Sequence, residues 1–298
     1  MGFSVRSMLV VVAAFVMAPS LTADTTVNST NRWAWSSGAS WLDCRVDTTN
    51  GMVVGQYYCG GYMYGGSAGW IRMGSGQPTN GYRFTNLSTN DYGVNHDGKG
   101  HLTGFAWSAS YGWISFEWTN NPDASTAPKV NLQNGVLSGN AWGGSLGWIS
   151  LSNISAYVKT DFMTNGPAAA NGMPVAWQMS TVGATNILKG GTNDWDSDGA
   201  SDYREYVSGT NPTNASEYLL VDSCTISSGT NFVLTWPSED TRLYKVETNG
   251  ALTNATGWAD SGFGVISPSS SGVTTLTLSC GSVSQLYYRV KVFLPLGR

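Results

Sequence analysis

Charged side chains are scarce in this 298-residue chain: Asp, Glu, Lys and Arg make up 11% of it, and its net charge is −4. Nucleic-acid partners require basic patches, and this mild, dispersed charge provides none. The four cysteines show no CxxC spacing, which argues against a zinc site. The chain also lacks a phosphate-binding loop and a nucleophile elbow, so no catalytic residue is predicted.

Histidine is limited to two residues. His96 and His101 flank Asp97 and Gly98 in a predicted turn, where a polar turn accounts for both. A hydrolase would require the fold to bring one of these histidines beside a carboxylate and a serine in a cleft.

Long apolar runs are absent except near the start of the chain. Arg6 precedes an apolar stretch at 8–17, which at about ten residues is too short to span a bilayer. Leu21, Thr22 and Ala23 offer a cleavage site. Residues 1–23 therefore predict a signal peptide cleaved near Ala23, rather than a buried N-terminal strand. The mature protein is expected to be secreted or at the cell surface, with no membrane span.

Export favours disulfide bonds between the four cysteines. Among the three connectivities that four cysteines allow, proximity in sequence favours Cys44–Cys59 and Cys224–Cys280. Each bond would lie inside one predicted domain.

Tryptophan and glycine, in contrast, are abundant, with 13 and 37 residues. They recur in a Gly-x-Ala-Trp…Gly-Trp-Ile pattern at 104–116 and 139–151, with a looser copy at 61–73 and a degenerate first copy at 32–44 that keeps Trp35 and Trp41. Such self-similarity indicates a repeated structural unit. Each copy predicts a β-hairpin.

The period of two along a strand divides each hairpin into two faces. If Trp107 lies opposite Trp113, one face carries Phe105, Trp107, Trp113 and Ser115. The other carries Leu102, Gly104, Ala106, Ile114 and Phe116, and its apolar residues indicate the core. The copy with Trp142 and Trp148 divides in the same way.

Residues 24–162 are therefore predicted to form an antiparallel β-meander of Trp-rich repeats. A sandwich or curled sheet is favoured over a propeller, because four unequal copies are few for a closed ring. The Trp pairs either fix strand register or present an aromatic platform for sugar rings. The candidate ligand-binding residues are Trp107, Trp113, Trp142, Trp148, Tyr64 and Trp70.

The repeat unit, preceded by segments such as 130–139, resembles the Gly-Tyr-Ala-Trp/Gly-Trp-Ile repeats of secreted proteins from environmental bacteria. This resemblance covers about 31–152. It implies an exported β-rich module and assigns no chemistry.

Residues 194–205 carry the clearest chemical pattern. Carboxylates stand at positions one, three, five, nine and twelve with Gly at six, which matches the calcium loop D-x-D-x-D-G-x₅-E. Calcium takes six to eight oxygen ligands, and the Gly makes the required bend. Ala200, at position seven, would contribute its backbone carbonyl. Ca²⁺ is thus the expected cofactor.

This stretch resembles a thrombospondin type 3-like or dockerin-like calcium loop, with 205–212 as the following short helix, Gly and Asn-Pro. The resemblance implies Asp194, Asp196, Asp198, Asp202 and Glu205 as ligands. Gly190-Gly191 precede the loop where an EF-hand has a helix, and only one loop is present. These departures argue against cohesin docking and favour a structural calcium clip between domains.

The loop belongs to a predicted linker at 163–217, with a short helix at 174–180. Residues 218–298 predict a C-terminal β-sandwich, with strands at 218–221, 232–236, 244–247, 273–278 and 287–293. This segment resembles the immunoglobulin- or fibronectin III-like modules that end many secreted bacterial proteins.

The sequence thus predicts a mainly β, exported, calcium-stabilised, non-enzymatic protein with a structural or adhesive role at the cell surface or in the extracellular matrix. The alternative is a carbohydrate-binding module that uses the repeat Trp residues. The expected partner is an extracellular polysaccharide or a surface protein.

Overall fold

The computed structural model describes residues 24–117, 124–185, 187–188, 190–227, 231–254, 256–279 and 286–297. The predicted signal peptide lies outside these residues. The N-terminal part is built from the strands β1 (Val27–Ser36), β2 (Ser40–Asp43), β3 (Val53–Val54), β4 (Cys59–Gly60), β5 (Tyr62–Gly65), β6 (Gly69–Arg72), β7 (Val94–His96), β8 (Leu102–Ser108), β9 (Gly112–Ser115), β10 (Lys129–Val130), β11 (Leu137–Ser138), β12 (Asn140–Gly143), β13 (Gly147–Ser150) and β14 (Val158–Thr160).

Two short helices follow, and then a second β region. The helices are α1 (Val175–Thr181) and α2 (Asp202–Ser208), and neither is long and apolar enough to cross a membrane. A 3₁₀ turn spans Ala124–Thr126. The C-terminal strands are β15 (Ser223–Ser227), β16 (Asn231–Pro237), β17 (Leu243–Asn249), β18 (Ala259–Asp260), β19 (Val273–Ser279) and β20 (Tyr287–Phe293).

The four repeat hairpins close into an eight-stranded antiparallel barrel. The hairpins are β1–β2, β5–β6, β8–β9 and β12–β13, and each pairs with the next. Closure comes from β1 and β13, where Trp35 lies opposite Ser150. The mainly β, antiparallel prediction is confirmed. A sandwich or curled sheet is not confirmed for the repeats, which form this closed barrel instead. Four hairpins suffice because a barrel of eight strands has an interior that side chains can fill.

The predicted division of each hairpin into two faces is confirmed. Trp107 lies directly opposite Trp113, and Trp142 opposite Trp148. The face that carries Ala106 and Ile114 is fully buried inside the barrel. Equivalent residues of the other hairpins fill the same interior: Ala34, Leu42, Met63, Ile71, Ala141 and Ile149.

The Gly of each Gly-Trp-Ile segment is explained by the backbone conformation of the hairpin turn. Every hairpin turns through a three-residue loop whose next residue has positive φ, and this loop type needs a left-handed residue to match the twist of the strands. Gly69, Gly112 and Gly147 have φ values of 64°, 78° and 70° at this position, and Ser40 has 63°. The degenerate first copy therefore adopts the same turn with a non-glycine residue.

All four turns lie at one end of the barrel and close it. The third loop residues Ala39, Ala68 and Leu146 are buried, and Tyr111 packs on the same core. Hydroxyl groups link neighbouring hairpins there. The Ser36 hydroxyl donates to the Leu146 carbonyl at 2.7 Å, and the Ser108 hydroxyl donates to the Ala68 carbonyl at 3.2 Å. The connecting strands β3, β4, β7, β10, β11 and β14 extend the core at the other end.

The C-terminal region consists of two three-stranded antiparallel sheets, β15-β16-β19 and β18-β17-β20. Residues of both sheets share one core, including Trp236 and Tyr244. Four of the predicted strands are present here. The strand predicted at 218–221 is wrong, because this segment has no ladder partner and the first strand, β15, begins at Ser223.

The linker segment packs between the two β regions. The predicted helix at 174–180 is present as α1, one residue later, with Pro174 at its N-cap position. Met173, Trp177, Leu188 and Tyr206 form a separate buried cluster, on which Tyr57 of the barrel region also packs. Lys99 and Asp240 form a direct ion pair at 2.6 Å between the barrel region and the C-terminal region.

Candidate functional site

The acidic loop folds around its own carboxylates. Asp194, Asp196 and Asp198 each direct one carboxylate oxygen to a point where all three lie within 4.8 Å of one another. The N–H of Gly199 donates to Asp194 Oδ2 at 2.9 Å, and the N–H of Ala200 donates to Asp198 Oδ1 at 2.6 Å. Gly199 has a φ of 95°, which supplies the bend expected at position six. The three Asp residues are thus preorganised as a group that can hold a cation.

The last two predicted ligands lie in the first turn of α2. Asp202 and Glu205 are fully buried. Both carboxylate oxygens of Glu205 and Oδ2 of Asp202 have no hydrogen-bond partner among the described residues. A buried charge without a partner is strongly unfavourable. A bound cation would remove this penalty, so the residues present fit the predicted metal.

The same crowding shifts the pKa values of these groups. Burial, followed by the charges of Asp196, Asp198, Asp202 and Asp194, raises the pKa of Glu205 to about 8. Burial also raises the pKa of Asp202, and burial together with the charge of Asp198 raises that of Asp196. Each shift reflects a carboxylate that is buried beside other carboxylates, which disfavours its charged form.

Helix α2 fixes these ligands relative to the rest of the protein. Ser201 caps its N-terminus, and Gly209, with a φ of 87°, ends it in the left-handed conformation. The ring of Tyr206 lies 5.3 Å from that of Trp177 on α1. The predicted helix after the loop therefore carries two of the predicted ligands and is also a packing element.

The second candidate site is a belt of aromatic residues around the outside of the barrel. We define the aromatic belt as four directly opposed pairs, one in each hairpin: Trp35–Trp41, Tyr64–Trp70, Trp107–Trp113 and Trp142–Trp148. Their exposed fractions range from 37% for Trp107 to 51% for Trp148. The predicted Trp face is therefore open to solvent.

In three of the hairpins, the belt residues also contact each other. The ring centroids of Trp107 and Trp113 lie 4.7 Å apart at 63°, and those of Trp142 and Trp148 lie 4.8 Å apart at 63°. This edge-to-face arrangement stabilises aromatic pairs. The Trp residues thus fix hairpin register and still expose 37–51% of their surface.

Polar residues separate the aromatic pairs of neighbouring hairpins. Ser150 lies opposite Trp35, and Ser115 opposite Trp142. Charged residues occupy the other two junctions, where Asp43 lies opposite Tyr64 and Arg72 opposite Trp107. The belt therefore alternates flat apolar surfaces with hydrogen-bonding groups.

Two belt residues, Trp35 and Trp41, were not among the predicted ligand-binding residues. The signal was present in the sequence, since the degenerate first copy retains both. The register rule that places Trp107 opposite Trp113 applies to this copy without change.

The predicted Cys44–Cys59 disulfide is not formed: both are free, fully buried thiols. Cys44 follows Trp41-Leu42-Asp43, so it occupies the position that Met73, Phe116 and Leu151 fill in the other copies. Its side chain belongs to the barrel core, and burial raises the pKa of each of the two thiols to about 12. Cys224 is exposed and free. The predicted pairing with Cys280 involves a residue outside the described part of the chain.

The two histidines have separate environments. His96 is buried, and its Nδ1 lies 3.0 Å from the carbonyl oxygen of Gly55. His101 is exposed, with Nδ1 2.8 Å from Asp97 Oδ2. Asp97 also accepts from the N–H groups of Lys99 and His101, as expected for a polar turn.

Comparisons with known proteins give no match, whether to protein-family models, to curated proteins or to solved structures. The two candidate sites are therefore interpreted from their chemistry alone.

Proposed function

We propose that this chain is an exported, calcium-stabilised, non-enzymatic adhesive protein of the cell surface or extracellular matrix, and that the aromatic belt is its contact surface. The observation that carries the proposal is the partial exposure of all eight belt residues. Contiguous exposed apolar surface marks interaction sites in soluble proteins. Four similar patches around one barrel would also allow multivalent attachment, which strengthens weak contacts.

Calcium has a structural role in this proposal. Asp194, Asp196, Asp198, Asp202 and Glu205 would hold the ion, with the Ala200 carbonyl as a further ligand. The unpartnered oxygens of Glu205 support this assignment, since position twelve of such loops chelates with both oxygens. Ion binding would fix α2, and with it the junction of the two β regions.

Titration calorimetry on chelator-treated protein tests the calcium site. We expect one Ca²⁺ per chain, with binding abolished in Asp196→Ala and weakened at least about tenfold in Glu205→Gln. Glu217→Gln is the matched control, because Glu217 is an exposed carboxylate bonded to Asn214 outside the loop. Absence of Ca²⁺ binding to the folded wild-type protein would contradict the proposal.

Adhesion is tested with beads that carry the purified protein, applied to polysaccharide-coated and protein-coated surfaces. The double variant Trp107→Ala/Trp142→Ala should detach at lower shear than wild type. Tyr218→Ala is the control, since Tyr218 is 40% exposed and lies outside the belt. Equal retention of wild type and the double variant, with both folded, would remove the belt from the function.

Carbohydrate binding is the second candidate, favoured by the belt junctions at which Trp35 faces Ser150 and Trp142 faces Ser115. An indole face can stack on a sugar ring while a neighbouring hydroxyl bonds its edge. If the protein binds a soluble or insoluble polysaccharide and Trp142→Ala abolishes that binding, this candidate is favoured over attachment to proteins.

A further inference from the structure

The first hairpin contributes to a slot on the outer face of the barrel. Trp33 and Trp41 line a slot of about 270 Å³, and Ser155 and Ala156 form its other wall. Trp33 lies opposite Asp43 on the outer face of the barrel, one pair further along than Trp35 and Trp41. The slot is thus a shallow, open site beside the aromatic belt, with Trp41 as the shared residue.

The wall opposite the Trp residues is a braced turn. The N–H groups of Ser155 and Ala156 donate to the Asn153 side-chain oxygen at 2.8 and 3.0 Å. The N–H of Asn153 donates back to the Ala156 carbonyl at 2.8 Å, and Ser152 pairs with Tyr157 at the base of the turn. The slot is therefore formed by the fold before any ligand binds.

A polar group lies over one of the two Trp rings. The guanidinium carbon of Arg32 is 5.2 Å from the centre of the Trp33 ring. Arg32 forms an ion pair with Asp43, whose carboxylate also accepts from the N–H groups of Arg45 and Val46 at 3.0 and 3.1 Å. The positive charge of Arg32 is thus balanced. Arg32 is not one of the residues that line the slot, so its contact orients the Trp33 ring rather than serving a ligand.

We propose that this slot binds a single neutral pyranose ring of a glycan. The inference rests on the proposed binding role of the protein and names the ligand class for a site outside the predicted residues. A pyranose has an apolar C–H face that suits the indole rings and hydroxyl groups at its edge that suit the hydroxyl of Ser155 on the facing wall. A purely apolar ligand would leave that hydroxyl desolvated and unpaired. An acidic sugar would gain little, because the residues that line the slot include no cationic side chain.

The size of the slot agrees with this class. Sites for drug-sized ligands begin at about 300 Å³, so the slot suits one ring rather than an extended oligosaccharide. Longer glycans would place one residue in the slot and continue over the neighbouring belt surface.

Saturation-transfer NMR and fluorescence titration of the full chain in calcium buffer test the proposal, with the methyl β-pyranosides of glucose, galactose, mannose and N-acetylglucosamine as probes. At least one should bind saturably, with a dissociation constant of roughly millimolar for so small a ligand. Trp33→Ala should weaken binding by about tenfold or more, the loss expected for one stacking ring.

Two further variants separate binding from folding. Ala156→Leu fills the slot and leaves both Trp residues in place, and it should weaken binding at least as much as Trp33→Ala. Phe105→Ala is the matched control, because Phe105 holds the position of Trp33 in the third hairpin, opposite Ser115. It should retain the wild-type affinity.

The proposal is overturned if no neutral glycoside binds, if Ala156→Leu binds like wild type, or if methyl glucuronide or a Trp-containing peptide binds more tightly than every neutral glycoside. The proposal is also overturned if Trp142→Ala abolishes glycoside binding while Trp33→Ala leaves it intact. That result would assign the sugar to the belt. Glycoside binding in the slot without adhesion of protein-coated beads would refute the adhesive function alone.

Discussion

Arg242 donates from Nη2 to the backbone carbonyl of Tyr206 at 2.6 Å, which ties the C-terminal region to helix α2. Its Nε donates to the next carbonyl, of Val207, at 2.8 Å. The guanidinium is buried, and this burial lowers the pKa of Arg242 from its usual value. Because the helix C-terminus carries partial negative charge, the two carbonyls are suitable acceptors for a cation.

Replacement of Arg242 by Met should destabilise the junction by about 2–3 kcal/mol, because it leaves two helix carbonyls without their charged donor. Thermal unfolding and limited proteolysis of residues 190–220 would report the change. Arg204→Met is the matched control, since Arg204 is an exposed residue on the same helix. Equal loss of stability in both variants would contradict the assigned role of Arg242.

The metal-free protein should lose stability as the pH rises. The folded-state pKa of Glu205 is about 8, well above its ordinary value of 4.5. Between these values the folded state binds more protons than the unfolded state, so the free energy of unfolding falls with increasing pH. With chelator present, the melting temperature should therefore be lower at pH 8 than at pH 5.

Calcium should reverse this trend, because binding requires the deprotonated carboxylate and becomes tighter as the pH approaches 8. Glu205→Gln removes the titrating group and should flatten the pH dependence without calcium. A wild-type melting temperature that rises from pH 5 to pH 8 in chelator would show that Glu205 does not titrate as described.

Ser40 should gain stability when it is replaced by glycine. It has a φ of 63° at a position that the other three hairpins fill with glycine. A non-glycine residue in this conformation is strained, so Ser40→Gly should raise the free energy of unfolding by about 0.5–1 kcal/mol. Urea denaturation measures the change. Ser145→Gly, at another position in an equivalent turn, should not stabilise the protein, because Ser145 lacks a positive φ.

The thiols of Cys44 and Cys59 should react only after unfolding. Both side chains are fully buried, and burial raises the pKa of each to about 12, so little thiolate forms near neutral pH. Iodoacetamide should leave them unmodified in the native protein and alkylate both in denaturant without reductant. Peptide mapping that recovers a Cys44–Cys59 peptide pair would instead restore the disulfide.

The sequence was sufficient to predict the local geometry of the repeats. Strand residues alternate with a period of two, and three of the four copies have a glycine before the second Trp at a repeated spacing. These features place Trp107 opposite Trp113 and put Ile114 on the other face. Closure of the barrel depends on Trp35 meeting Ser150, a contact between the first and last hairpins that no local pattern encodes. Such distant pairings follow from the sum of strand twist and tilt.

In the acidic loop, too, the sequence predicts the local geometry but not the contacts between distant segments. The spacing of Asp194, Asp196 and Asp198 was sufficient to place their carboxylates together. The complete burial of Glu205 depends on the docking of α2 against α1 and Arg242, which joins segments from separate regions of the chain. The error at Cys44 had a different cause: the repeat alignment already placed it in the core, but the expected export favoured a disulfide.

The pairing of β1 with β13 also fixes how many copies of the hairpin this architecture can contain. In an open solenoid, each unit contacts only its neighbours, so units can be added or lost at the ends. Here the first hairpin pairs with the fourth. Removal of one hairpin would expose two strand edges, and these could pair only if the remaining strands changed their tilt and stagger. Duplication of a repeat is therefore not a gradual route to a larger version of this protein, whereas sequence divergence among the existing four, as in the hairpin with Trp33, leaves the ring intact.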